Sequence, residues 1–76
     1  MPRYYFNIVD PDGTIPDMEG TDLPDIDAVR VEALASAREM IADTVRHGGI
    51  VDGRAFQIVD ITGAVVLTVS FKEVAS

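Results

Sequence analysis

A chain of 76 residues with net charge −7 and no cysteine is small and acidic, and it lacks both disulfides and thiolate metal sites. At this size folding buries only about 60–65% of the unfolded surface, so the core must be good or a partner must cover what the core leaves out. The six cations, Arg3, Arg30, Arg38, Arg46, Arg54 and Lys72, are scattered rather than clustered, which disfavours nucleic acid as a direct partner.

Residues 3–9 predict a β-strand, because Tyr4, Tyr5, Phe6, Ile8 and Val9 are strand formers. Alternation puts Tyr4, Phe6 and Ile8 on one face and Tyr5, Asn7 and Val9 on the other. The first set has no polar member and is assigned to the core. Asp10-Pro11-Asp12-Gly13 follows as a turn: proline presets φ, aspartate caps its own backbone, and glycine tolerates positive φ. A short strand is expected at 14–16 or at 21–23. Pro16 and Pro24, lacking amide donors, confine these segments to a sheet edge or an irregular loop.

From about residue 25 to residue 47 the period becomes helical. Ile26, Val29, Ala33, Leu34, Ala37, Met40, Ile41, Thr44 and Val45 recur at spacings of three and four and form one apolar stripe. Asp22, Asp25 and Asp27 can each cap the start. Arg46, His47 and Gly48-Gly49 mark the stop. Such a helix is roughly 34 Å long. Ala33 and Ala37 leave room for a sheet to approach closely.

After a loop over residues 50–53, strands are expected at 54–61 and 64–71, flanking the hairpin signal Thr62-Gly63. In the last strand Val65, Leu67, Val69 and Phe71 share one face, with Val66 and Thr68 opposite. Apolar residues on both faces suit a strand that is covered twice or central in its sheet. Lys72 and Glu73 follow as charged gatekeepers.

The layout is α+β within a single domain, residues 1–76: one long helix on one face of a three- to four-stranded, mostly antiparallel sheet (β-(β)-α-β-β). The second face then carries Tyr5, Val9, Val59, Ile61 and Val66 among Asn7, Gln57 and Thr68. That mixture is too apolar for a solvated surface and predicts self-association, most simply as a homodimer through this face or an edge strand.

Seven of the thirteen acidic residues lie in segment 10–27 with no Lys or Arg among them. Asp10, Asp12, Asp17, Glu19 and Asp22 are the candidate surface for a small basic protein, since opposite potentials speed and orient association. Caps, turns and solubility account for most of these acids without a ligand. The segment lacks the ligand spacing of a calcium loop, so no metal is assigned. His47 has no catalytic partner at recognisable spacing and is read as a residue at the helix C-terminus. Glu32, next to the apolar stripe, is expected to be partly buried and paired with an arginine. Gly48-Gly49-Ile50-Val51-Asp52-Gly53 follows a helix and has no lysine, so it is no phosphate cradle.

Pro2-Arg3-Tyr4-Tyr5-Phe6, Asp17 with Glu19-Gly20 and Leu23, Glu32-Ala33, Ala37, Phe56 with Ile58 and Asp60, Gly63, and Val69-Ser70-Phe71 give the chain a resemblance over nearly its full length. It resembles a family of short uncharacterised bacterial proteins found mainly in alphaproteobacteria, a family without an established activity. Leu23-Pro24-Asp25 leading into Ala28-Val29-Arg30-Val31-Glu32-Ala33 is also similar in layout to the helix entrance of HicB-type antitoxins, whose small domain covers a basic partner. No appended DNA-binding segment is expected in this chain.

These readings converge on a non-enzymatic protein–protein interaction module that self-associates. The alternative is an antitoxin-like or regulatory domain that binds a small basic protein through segment 10–27. No cofactor is expected. No stretch approaches the roughly 20 apolar residues of a membrane span, and the N-terminus resembles no signal peptide, so the cytoplasm is the expected compartment.

Overall fold

The computed structural model describes residues 1–49 and 53–75. The loop expected over residues 50–53 therefore falls mostly outside the described residues. The first strand, β1 (Arg3–Asp10), turns through Pro11-Asp12 into β2 (Gly13–Ile15), with Ile8 opposite Ile15 and Asp10 opposite Gly13. A two-residue hairpin turn normally takes positive φ at its first central residue, which the Pro11 ring forbids. Gly13 absorbs the mismatch with φ +147°, and Asp10 Oδ1 accepts the Asp12 N–H at 2.8 Å.

Both candidate positions for a further strand are used. β3 (Thr21–Asp22) pairs with Arg3 and Tyr4, beyond the stretch of β1 that β2 occupies. All pairings are antiparallel, and among the described residues the sheet has five strands rather than the three or four expected. The proline-flanked segments lie at an edge, as their missing donors require.

The long helix, α1 (Ile26–Arg46), begins and ends on local chemistry. Asp25 is its N-cap and accepts the Ala28 N–H at 2.8 Å. At the other end Gly48 takes φ +77° and donates to Val45 C=O at 3.0 Å, while Gly49 donates to Thr44 C=O at 2.8 Å. This is the Schellman arrangement, which satisfies carbonyls that the helix leaves open. His47 caps the helix, its Nδ1 lying 2.8 Å from Asp43 C=O.

β4 (Ala55–Val59) lies between β1 and β5 (Val65–Ser70), in the order β2-β1-β4-β5. Phe6 and Ile8 face Ile58 and Phe56 across one boundary; Phe56 and Ile58 face Val69 and Leu67 across the other. On this side α1 buries Val29, Ala33 and Ala37. The alanines allow the close approach that their size predicted. Phe6, Phe56 and Phe71 form an edge-to-face row, with centroids 5.9 Å and 5.1 Å apart.

Four expectations at the chain's C-terminal half and on α1 are corrected. β5 is an edge strand, and β4 is the central one. The apolar residues on both sides of β5 arise partly from a register irregularity at Ile58/Val59, which leaves Val65 half exposed and lets Val66 pack against the core. The hairpin turn is Asp60-Ile61-Thr62-Gly63 rather than Thr62-Gly63 alone. Gly63, at φ +87°, donates to Asp60 C=O, and Asp60 N–H pairs with Ala64 C=O, both at 3.0 Å.

The last strand also stops at Ser70, and α2 (Phe71–Ala75) follows directly. Phe71 is buried against Phe56, and Val74 packs on the core, so packing beside α1 overrides the strand propensity of Phe71. Lys72 and Glu73 are exposed on this helix. Finally, Glu32 is exposed and accepts from Ser36 Oγ at 3.4 Å, one turn along α1, because its side chain lies outside the narrow Val29-Ala33-Ala37 contact.

Candidate functional site

Three surfaces follow from this architecture: the acidic segment, the second face of the sheet, and the outer edge of β5. The acidic segment does structural work first. Backbone pairing alternates along β1, so Tyr4, Phe6 and Ile8 turn their polar groups away from β4. Tyr4 meets β3 and Ile8 meets β2, while Phe6 falls in the gap between them. Asp17 fills that gap. Its Oδ2 accepts the Phe6 N–H at 3.0 Å, and Oδ1 accepts the N–H groups of Glu19 and Gly20, each at 3.2 Å. Partial burial pushes the Asp17 carboxyl upward, but the donors of Phe6, Gly20 and Glu19 together outweigh it, and the group is held below its ordinary 3.8.

Asp22 is engaged as well. Arg3 grips it through Nε at 2.8 Å and Nη2 at 3.2 Å. This side-chain pairing lowers the Asp22 carboxyl and raises the guanidinium. Asp10 holds its own turn, and Arg54 lies 4.0 Å away. Asp12 and Glu19, the other two candidates for a basic partner, are exposed. The structure thus brings the five acids to one edge of the sheet, with the carboxylates of Asp10, Asp17 and Asp22 serving the fold.

The same segment folds onto the second face. Asn7 Oδ1 accepts the Asp17 N–H at 2.8 Å. Gly20, at φ +78°, sits so close that a Cβ there would lie 2.9 Å from both Arg3 Cγ and Tyr5 Cε1. Register divides the rest of that face into rows. Tyr5 and Val59 pair at one end, Asn7, Gln57 and Thr68 form a polar row across the middle, and Val9 pairs with Ala55 beyond it.

Of the five residues expected to associate, Tyr5, Ile61 and Val66 line a single open depression of ≈ 680 Å³ with Met1, Pro2 and Tyr4, and the charged residues Arg3, Asp22 and Asp60 complete its wall. Val59 adjoins them as the cross-strand neighbour of Tyr5, and the polar row separates Val9 from the group. Met1 and Ile61 are 82% and 79% exposed. Asp60 ties the turn that carries Ile61 by accepting from Thr62 Oγ1 at 2.6 Å and Thr62 N–H at 2.9 Å. The Thr62 hydroxyl, ahead of the backbone donors, lowers its carboxyl.

Sequence reasoning did not single out the third surface. The outer edge of β5 adjoins a groove of ≈ 260 Å³ lined by Leu34, Leu67, Val69 and Val74, with Arg30 and Glu73 at its polar margin. The available signal was a six-residue strand, Val65–Ser70, without charge or proline. Among the described residues no three His, Cys, Asp or Glu side chains converge as metal ligands, and no helix is long and apolar enough to cross a membrane.

The class these features define is a small open-sheet α+β domain whose helices pack on one face. Within that class the chain belongs to the family described as Domain of unknown function (DUF6894), which it matches over residues 3–72. No curated protein and no solved structure matches it. Many of the residues carrying the resemblance have places in the fold: Asp17 bridges the edge gap, Gly20 fits under Tyr5, Ala33 and Ala37 seat the helix, and Asp60 and Gly63 form the hairpin.

Proposed function

We propose that this chain is a non-enzymatic protein–protein interaction module that associates with its own copies. The observation supporting the reading is that the helices pack on one side of the sheet only, while Tyr5, Ile61 and Val66, with Met1 and Pro2, line an open depression at one end of the sheet, bordered by Arg3, Asp22 and Asp60. An uncovered apolar patch beside an open strand edge costs solvation free energy that a partner recovers. The cytoplasm is the compartment proposed, since a cysteine-free chain has no disulfide to lose there. Sedimentation equilibrium from micromolar to near-millimolar concentration tests the reading. A reversible dimer is expected, and a strict monomer throughout overturns it.

A second reading assigns segment 10–27 to a small basic protein. It draws on Asp12 and Glu19, which are exposed, and on Met18 next to Glu19, itself 83% exposed.

A further inference from the structure

Residues 16–24 run along the edge of β1 between the end of β2 and the start of α1, and their attachments to the sheet are almost all polar. Asp17 accepts the Phe6 N–H at 3.0 Å and donates its own N–H to Asn7 Oδ1 at 2.8 Å. Arg3 holds Asp22 at 2.8 Å in a pair that is about half exposed, and Leu23 N–H reaches Pro2 C=O at 3.0 Å. β3 contributes two residue pairs, Arg3 with Asp22 and Tyr4 with Thr21. Within the segment only Leu23 packs against the core; Met18, Glu19, Thr21 and Asp22 are exposed.

The rest of the fold is held by different forces. Val29, Ala33, Ala37, Phe56, Ile58 and Phe71 are buried among the helices and the central strands, and none belongs to residues 16–24. Once such a segment lifts, water replaces its hydrogen bonds at small net cost, and an exposed ion pair adds little. One half-buried leucine is the main apolar surface lost, so releasing the segment costs far less than breaking the core. Its two ends are anchored separately, by the pairing of Ile15 with Ile8 and by Asp25 capping α1, and both anchors survive the release.

The segment also borders the depression on the second face. Asp22 lines it beside Arg3 and Tyr5, and Gly20 lies so near that a Cβ there would stand 2.9 Å from the Tyr5 ring. Lifting the segment widens the depression, frees the Tyr5 ring and the Arg3 guanidinium, and bares the outward backbone groups of Tyr4 and Phe6.

We infer that residues 16–24 form a strap that opens as a unit while the sheet and the helices stay folded, and that its closure covers part of the surface around Tyr5. The inference does not need the self-association proposed above, because the opening belongs to the single chain.

Amide hydrogen exchange resolved by NMR, under conditions where reclosing outpaces exchange, tests it. The N–H groups of Phe6, Asp17 and Leu23 each make a bond that opening breaks, whereas those of Phe56 and Gln57 lie in the central strand. The three strap amides are expected to share one protection factor within about threefold, at least ~tenfold below that of Phe56 and Gln57. Ile58→Val trims the buried centre of β4 and should speed exchange at Phe56 and Gln57 about three- to tenfold while leaving the strap amides unmoved. Urea below the unfolding transition should act the same way, because strap opening exposes little surface.

Strap amides that share the protection of β4, or that speed up with Ile58→Val, belong to one cooperative unit with the core and overturn the inference. Three strap amides with unrelated rates overturn it as well, since they then open one by one.

Discussion

Replacing Asp17 with alanine removes three acceptor contacts from the closed edge of the sheet, and their worth can be worked out from the geometry. Phe6 N–H, at 3.0 Å from Oδ2, is part-buried between two short strands, and leaving it without a partner costs about 1–3 kcal/mol. Glu19 and Gly20 donate at 3.2 Å to Oδ1 from a more exposed turn, where water replaces the carboxylate, so each adds about 0.5 kcal/mol. The total is about 2–4 kcal/mol, a large share of the stability of so small a domain. For this size it corresponds to a fall in Tm of roughly 10–30 °C. Asp17→Asn keeps one acceptor oxygen, but the two oxygens serve opposite sides, so about half the loss is expected.

The pH dependence gives an independent check. Asp17 is held below 3.8 in the folded chain, so the unfolded chain binds more protons as acid is added. Its contribution is therefore complete above 3.8 and is lost as the pH falls through that value toward the folded one. Asp22 and Asp60 are lowered too, but they are common to both proteins and cancel in the comparison. Thermal unfolding of unmodified chain and Asp17→Asn should differ most near neutrality, and the gap should narrow progressively as the pH falls below 3.8. An Asp17→Ala variant melting within about 2 °C of the unmodified chain, or an Asn gap that persists in acid, refutes the edge-filling role.

Gly20→Ala and Gly48→Ala separate backbone strain from crowding. Both positions have positive φ, +78° and +77°, but a Cβ at Gly20 meets Arg3 and Tyr5 at 2.9 Å, whereas one at Gly48 meets nothing within 4 Å. Urea titration should show a loss of about 1 kcal/mol for Gly48→Ala and a clearly larger one for Gly20→Ala; equal losses would show that the loop does not rest on Tyr5. For a basic partner, the double variant Asp12→Lys with Glu19→Lys should abolish co-purification from the native cell while leaving the melting temperature within a few degrees. Unchanged recovery removes the acidic segment from recognition.

The parts of the fold legible in sequence are those decided within a few residues. The apolar stripe from Ile26 to Val45, the aspartate before it and the glycines after it specify α1 because caps and helical periodicity are local. Alternation in Tyr4-Tyr5-Phe6-Asn7-Ile8 likewise specified which face of β1 is buried. The candidate site was less legible. Tyr5, Val59, Ile61 and Val66 do gather at one end of the second face, but Val9 lies beyond the Asn7-Gln57-Thr68 row, and alternation alone cannot reveal rows that arise across strands. Asp17 counted only as one acid among seven until Phe6 stood beside it.

Local chemistry in the chain therefore determined one long capped helix, a proline-edged sheet and an acidic connection. Tertiary structure alone decided that β4 is central and β5 open, that Phe71 starts a helix, and that a carboxylate stands in for a missing strand segment. The physical reason is that strand order and edge closure depend on which backbone donors remain unpaired after distant segments meet. No window of sequence contains both partners of such a bond.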